Sequence, residues 1–114
     1  MDELRKASQE AVVLVEGKRD REALQNYGVR NVHTLEGKRF TDLPDLLEGF
    51  EKVILLFDLD SHGERINKKV KSILSKQGYI LIESFREELR GMGISYVEEI
   101  NGKVRSLGSS FSSG

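Results

Sequence analysis

The chain has 114 residues, enough for one domain with one modest core. Its net charge of −1 gives no overall pull toward nucleic acid, so any grip on a polyanion must come from local clusters. With no cysteine it has no disulfide, zinc–thiolate site or cysteine nucleophile, which fits a reducing cytoplasm, and no apolar stretch approaches the ~18–20 residues of a membrane span.

Met1–Glu10 is charged and reads as a short helix or a frayed lead-in, without the apolar core of a signal peptide. Ala11–Val15 is a continuous, β-branched apolar run, the pattern of a strand buried on both faces of a parallel sheet. Glu16-Gly17-Lys18 breaks it. Asp20 is placed to N-cap a helix through Ala23, Leu24 and Tyr27, stopped by Gly28. Val29–Leu35 is a weaker strand, and Glu36–Arg39 a polar loop. A helix over Asp42–Phe50 puts Leu43, Leu46, Leu47 and Phe50 on one face, with the sole proline near its start.

Lys52–Phe57 is the third strand. Ser61–Gln77 is a helix with an Ile66, Val70, Ile73, Leu74 stripe, stopped by Gly78. Tyr79–Glu83 is a fourth strand, Phe85–Arg90 a short helix ended by Gly91, and Ser95–Glu98 has capping-box spacing. Tyr27, Tyr79 and Tyr96 read as packing residues. The alternation of strands and helices predicts an α/β fold: an open, mainly parallel four-stranded sheet flanked by helices, Rossmann-like. The domain is expected over residues 11–105, with 1–10 as lead-in and 106–114 as a flexible Ser/Gly-rich tail.

The chemistry concentrates where the two most apolar strands end. One ends in Glu16, the other in Asp58-Leu59-Asp60. Side chains two apart on a strand share a face, and the carboxyl edge of an α/β sheet is where ligands bind. If these strands are parallel neighbours, three hard oxygen donors meet at one edge, a donor set suited to Mg²⁺, with Mn²⁺ as substitute. Gly17 and Gly63 leave room for close approach. Lys18, Arg19, Lys38, Arg39 and Arg65 lie just past strand ends or in first helical turns, which suits a phosphate-rich substrate. Each piece alone has a bland reading: strand ends often carry acids, and acids favour helix N-termini. The weight lies in their conjunction. His62 reads as an exposed loop residue before a ligand or base. No aromatic platform for base stacking is recognisable.

Val13-Leu14-Val15-Glu16-Gly17-Lys18-Arg19-Asp20, followed by Leu55-Leu56-Phe57-Asp58-Leu59-Asp60-Ser61-His62-Gly63-Glu64, resembles the Toprim domain. That domain is shared by topoisomerases, bacterial primases, recombination-repair proteins and nucleases, including the ribosomal-RNA maturation nucleases. The resemblance runs from about Ala11 to about Leu89 and is greatest to small stand-alone members. It implies Mg²⁺-dependent phosphodiester chemistry on RNA or DNA. Glu16 would be the acid/base, and Asp58 and Asp60 would be catalytic metal ligands, joined on the metal by Glu16 and Glu64. A protein partner that holds substrate is compatible with so small a domain. His62 stands where topoisomerases carry a further acid, which weakens a second metal site. Two other readings stay open: a non-catalytic nucleic-acid-binding or scaffold module, and a haloacid-dehalogenase-like phosphatase with Asp58 as nucleophile.

Overall fold

The computed structural model describes residues 2–102. The expected tail at 106–114, and the last residues of the expected domain, lie outside that range. Four strands form one sheet: β1 (Val12–Val15), β2 (Val32–Thr34), β3 (Lys52–Leu55) and β4 (Ile80–Ile82). Their order is β2-β1-β3-β4 and every pairing is parallel. The two most apolar strands are therefore central neighbours, in register Val12↔Val53, Val13↔Ile54 and Leu14↔Leu55. This is the parallel, helix-flanked α/β architecture the alternation of elements predicts.

Successive residues of a strand face opposite sides, and the sheet uses both. Val13, Val15 and Ile54 pack with Leu24 of α2 (Lys18–Asn26) and Leu89 of α5 (Ser84–Gly91). Val12, Leu14, Val53 and Leu55 pack with Leu43 of α3 (Leu43–Leu46) and with Val70 and Leu74 of α4 (Ser61–Lys76). Every residue of β1 is fully buried, which is why the run is apolar throughout rather than alternating. The short α1 (Asp2–Ala7) does more than lead in: Leu4 is fully buried, and the Ser8 hydroxyl accepts from the Arg30 backbone N–H at 2.9 Å.

Three local expectations shift. Asp20 does not N-cap α2. The helix starts earlier, behind Gly17, and Asp20 is its third residue, accepting the Gly17 N–H at 3.2 Å. The helix after β2 is a 3₁₀ turn (Phe40–Asp42) running into α3, shorter than Asp42–Phe50, although Leu43 and Leu47 are fully buried as expected. The cap near Ser95 sits one residue later: Glu99 accepts the Tyr96 N–H at 3.1 Å, and Tyr96 is 45% exposed rather than packed.

The chain leaves β1 toward β2 on one side and returns to β3 on the other. The carboxyl ends of β1 and β3 therefore flank the point where strand order reverses, and there an open α/β sheet leaves a crevice.

Candidate active site

The crevice is present as a cleft of about 550 Å³, lined by Glu16, Gly17, Lys18, Arg19, Asp20, Glu36, Asp58, Asp60, His62 and Glu98. Glu16 follows β1 directly. Asp58 and Asp60 sit in the loop between β3 and α4, and the pairing of β1 with β3 brings the two groups together. A second cavity of about 420 Å³ shares Glu16, Gly17 and Glu36 and is completed by Leu35, Lys38, Arg39, Phe40 and Ile66.

Each of the three acids is held by one oxygen. Asp60 is the N-cap of α4, and its Oδ1 accepts the Gly63 N–H at 2.7 Å. Asp58 Oδ1 accepts the Val97 N–H at 2.8 Å. Glu16 Oε1 lies 2.6 Å from His62 Nε2. The loop itself is tied down from both sides. The Leu59 N–H donates to the Ser95 carbonyl at 2.7 Å. Arg86, buried in α5, donates to the carbonyls of Phe57 at 2.8 Å and Asp58 at 2.7 Å.

The electrostatics are those of crowded acids. Burial pushes Asp58 up from the ordinary 3.8 to about 6; its bond from Val97 opposes the rise, and Asp20, Glu16 and Asp60 add to it. Asp20 is raised too, first by burial, then by Glu16 and Glu98 against its bond from Gly17. Like charges confined in this way favour a shared proton or a bound cation.

Not every expected residue arrives. Glu64, expected among the metal ligands, instead accepts from Arg86 and Arg90 at 2.9 Å each, and these bonds hold its carboxyl below the usual range. It follows Asp60 by one helical turn, on the flank of α4 that meets α5. Gly63 is buried, and what approaches it is the Asp58 carbonyl rather than a phosphate: a Cβ there would stand 1.9 Å from that oxygen. Arg65 is exposed on α4 and does not line the cleft. Lys38 and Arg39 line only the second cavity.

Other residues were missed. Asp20 read as a cap. Glu98 read only as the acid of a capping box, and Glu36 carried no motif. Arg86 did leave a trace: it lies three residues before Leu89, on the apolar face of a short amphipathic helix, where an arginine needs buried partners.

The Toprim domain model matches residues 11–86, from the start of β1 through Arg86. The chain belongs to the Toprim domain family. A UPF0292 protein of Pyrococcus furiosus is 32% identical over 77 residues, covering 67% of this chain and 59% of that relative's length. A UPF0292 protein of Thermococcus gammatolerans is 33% identical over 99 residues, covering 82% of this chain and 73% of its own. A solved structure of a protein from Aquifex aeolicus superposes with a TM-score of 0.83 at 56% identity, over 86% of this chain and 92% of that one.

Toprim domains are generally linked to nucleic acid and to Mg²⁺, and membership ties this chain to metal-dependent nucleic-acid chemistry or binding. Among the described residues no three His, Asp or Glu side chains stand close enough to cage an ion. The donor set still suits Mg²⁺, which takes one or two carboxylates and completes its shell with water and phosphate oxygens. The raised Asp58, among further acids, is a place where a cation relieves repulsion. Among the described residues no helix is long and apolar enough to cross a membrane.

Proposed function

We propose that this Toprim domain carries out Mg²⁺-dependent phosphodiester chemistry on nucleic acid, as a nuclease-type domain. The observation that carries the reading is the meeting of Glu16 with Asp58 and Asp60 in one cleft at the sheet's reversal point, with Lys18 and Arg19 on its rim.

Asp58 and Asp60 would hold the Mg²⁺, each through the oxygen not engaged by Val97 or Gly63. When bound, the ion would supply Lewis-acid stabilisation of charge developing on a phosphate oxygen. Glu16 handles the proton. His62 Nε2, 2.6 Å from Glu16 Oε1, restrains that carboxyl at the cleft. Lys18 and Arg19 begin α2 and bring their charge to the cleft for a flanking phosphate, while the Gly17 and Lys18 N–H groups there already donate to Asp20 and Glu36. Arg86 acts through the loop: by fixing the carbonyls of Phe57 and Asp58 it sets where the Asp58 carboxyl points.

The test is a cleavage screen on single- and double-stranded RNA and DNA with Mg²⁺ or Mn²⁺. Cleavage abolished by Asp58→Asn and Glu16→Gln is expected. A wild-type protein that binds strands without cutting them, and an Asp58→Asn variant that binds as well or better, would replace the nuclease reading with a non-catalytic module.

A further inference from the structure

The cavity beside the acidic cleft differs from it in kind. Its walls are Leu35, Ile66 and the ring of Phe40, and its rim carries Lys38, Arg39 and Glu36. At about 420 Å³ it falls within the range of small-molecule sites, which are apolar with a few placed polar groups. Phe40 is one of only three large apolar side chains exposed among the described residues, at 39%. The 3₁₀ turn at Phe40–Asp42 holds it there, and Asp42 secures that turn by accepting the Arg39 N–H at 2.9 Å. The Lys69 ammonium, from α4, lies 5.8 Å from the centre of the Phe40 ring.

We infer that this cavity binds an unpaired nucleobase of a single-stranded nucleic acid whose backbone runs through the neighbouring cleft. The inference rests on the proposed nucleic-acid substrate and deepens it. Three features select this occupant. An exposed aromatic ring is a stacking surface for any base, because every base has a π face. Lys38 and Arg39 line the cavity beside Glu36 and Glu16, and Lys69 stands at the ring, so three cations are placed for phosphates on either side of a base, which an apolar peptide or a neutral ligand does not need. Glu16 and Gly17 line both spaces, so a base in the cavity and a phosphate at the acids can belong to one strand. A base inside a duplex cannot enter without leaving its stack, so the site prefers single strands, loops or frayed ends.

The test uses the full chain and end-labelled single-stranded hexamers, RNA and DNA, with affinity read by fluorescence anisotropy in EDTA so that no turnover intervenes. Phe40→Ala is expected to weaken binding roughly 5- to 150-fold, and Phe40→Tyr to keep it. An abasic hexamer is expected to bind the wild type as weakly as the intact strand binds Phe40→Ala, with no further loss when the two changes are combined. Circular dichroism melting of Phe40→Ala is expected to match the wild type, since the ring is half exposed. Equal affinities for wild type and Phe40→Ala, or equal affinities for abasic and intact strands, would overturn the inference. If cleavage is nevertheless lost in Asp58→Asn, the catalytic reading survives that failure. If the wild type in EDTA and the Glu16→Gln variant in Mg²⁺ both bind no strand at all, both readings fall.

Discussion

Single residues in this cleft work against the stability of the fold. Asp58 is the clearest case, with its carboxyl pushed up to about 6 by burial and by Asp20, Glu16 and Asp60. Below about pH 4 Asp58 is protonated in both the folded and the unfolded chain, and no penalty exists. As pH rises toward 6 the unfolded chain gives up its proton first, so stability falls, and above 6 the whole penalty is present. Asp58→Asn removes the charge and keeps an oxygen for the Val97 N–H. In metal-free buffer the variant should melt higher than the wild type, by a margin that opens between pH 4 and 6 and is then constant. That margin corresponds to at most about 3 kcal/mol. Equal melting profiles from pH 4 to 8 would remove the account of Asp58 as a buried, crowded charge that costs stability. Gly63 shows the opposite dependence. A methyl group there meets the Asp58 carbonyl oxygen at 1.9 Å, so Gly63→Ala must push α4 and the Asp loop apart. A loss of roughly 1–3 kcal/mol in urea unfolding is expected, the range of overpacked sites. An unchanged midpoint would mean the loop yields freely, and then it could not be holding Asp58 in place.

Among the elements, α5 does the least visible work. It packs Phe85 and Leu89 into the core and sends Arg86, 3% exposed, to the end of β3. Three acceptors depend on that guanidinium: the carbonyls of Phe57 and Asp58, and Glu64. Arg86→Met fills the space but strands the two carbonyls. It should cost roughly 3 kcal/mol, read by chemical denaturation, and should weaken metal binding beyond what stability explains. Arg86→Lys, with one compact charge and no planar fork, should recover only part of either. Strands β1 and β3 were legible because burial on both faces leaves an unbroken apolar run, and Glu16 and Asp58 followed because strand ends are where such runs stop. The Arg86 clamp was not legible: it joins residues 28 and 29 apart in the chain, and no local pattern encodes that distance. Glu64 was misplaced for a related reason. The family resemblance implied it as a ligand beside Asp60, but in this chain helical rotation turns it to Arg86 and Arg90 of α5. Phe40 was missed because sequence alone does not tell an exposed ring from a buried one.

At the scale of the whole molecule, the net charge of −1 sets how nucleic acid can be held. The cleft itself is crowded with acids, so long-range attraction is weak and binding must come from a few positioned cations. Lys18 and Arg19 line the cleft, Lys38 and Arg39 line the base cavity, and Lys69 reaches Phe40. Each phosphate neutralised on a single strand contributes about −0.7 to the slope of log affinity against log salt, so these five groups allow a slope no steeper than roughly −3.5. A titration from 50 to 300 mM KCl measures it. A steeper slope would mean that basic surface outside both cavities carries the strand. Mg²⁺ should act on the same balance in the opposite direction from salt. By neutralising the Asp58 neighbourhood it removes repulsion against an incoming phosphate, so at constant ionic strength it should tighten binding to a catalytically silent Glu16→Gln variant. The same addition should leave binding to Asp58→Asn nearly unchanged. If Mg²⁺ weakens both equally, it is only screening the basic groups, and the acids of the cleft are not its ligands.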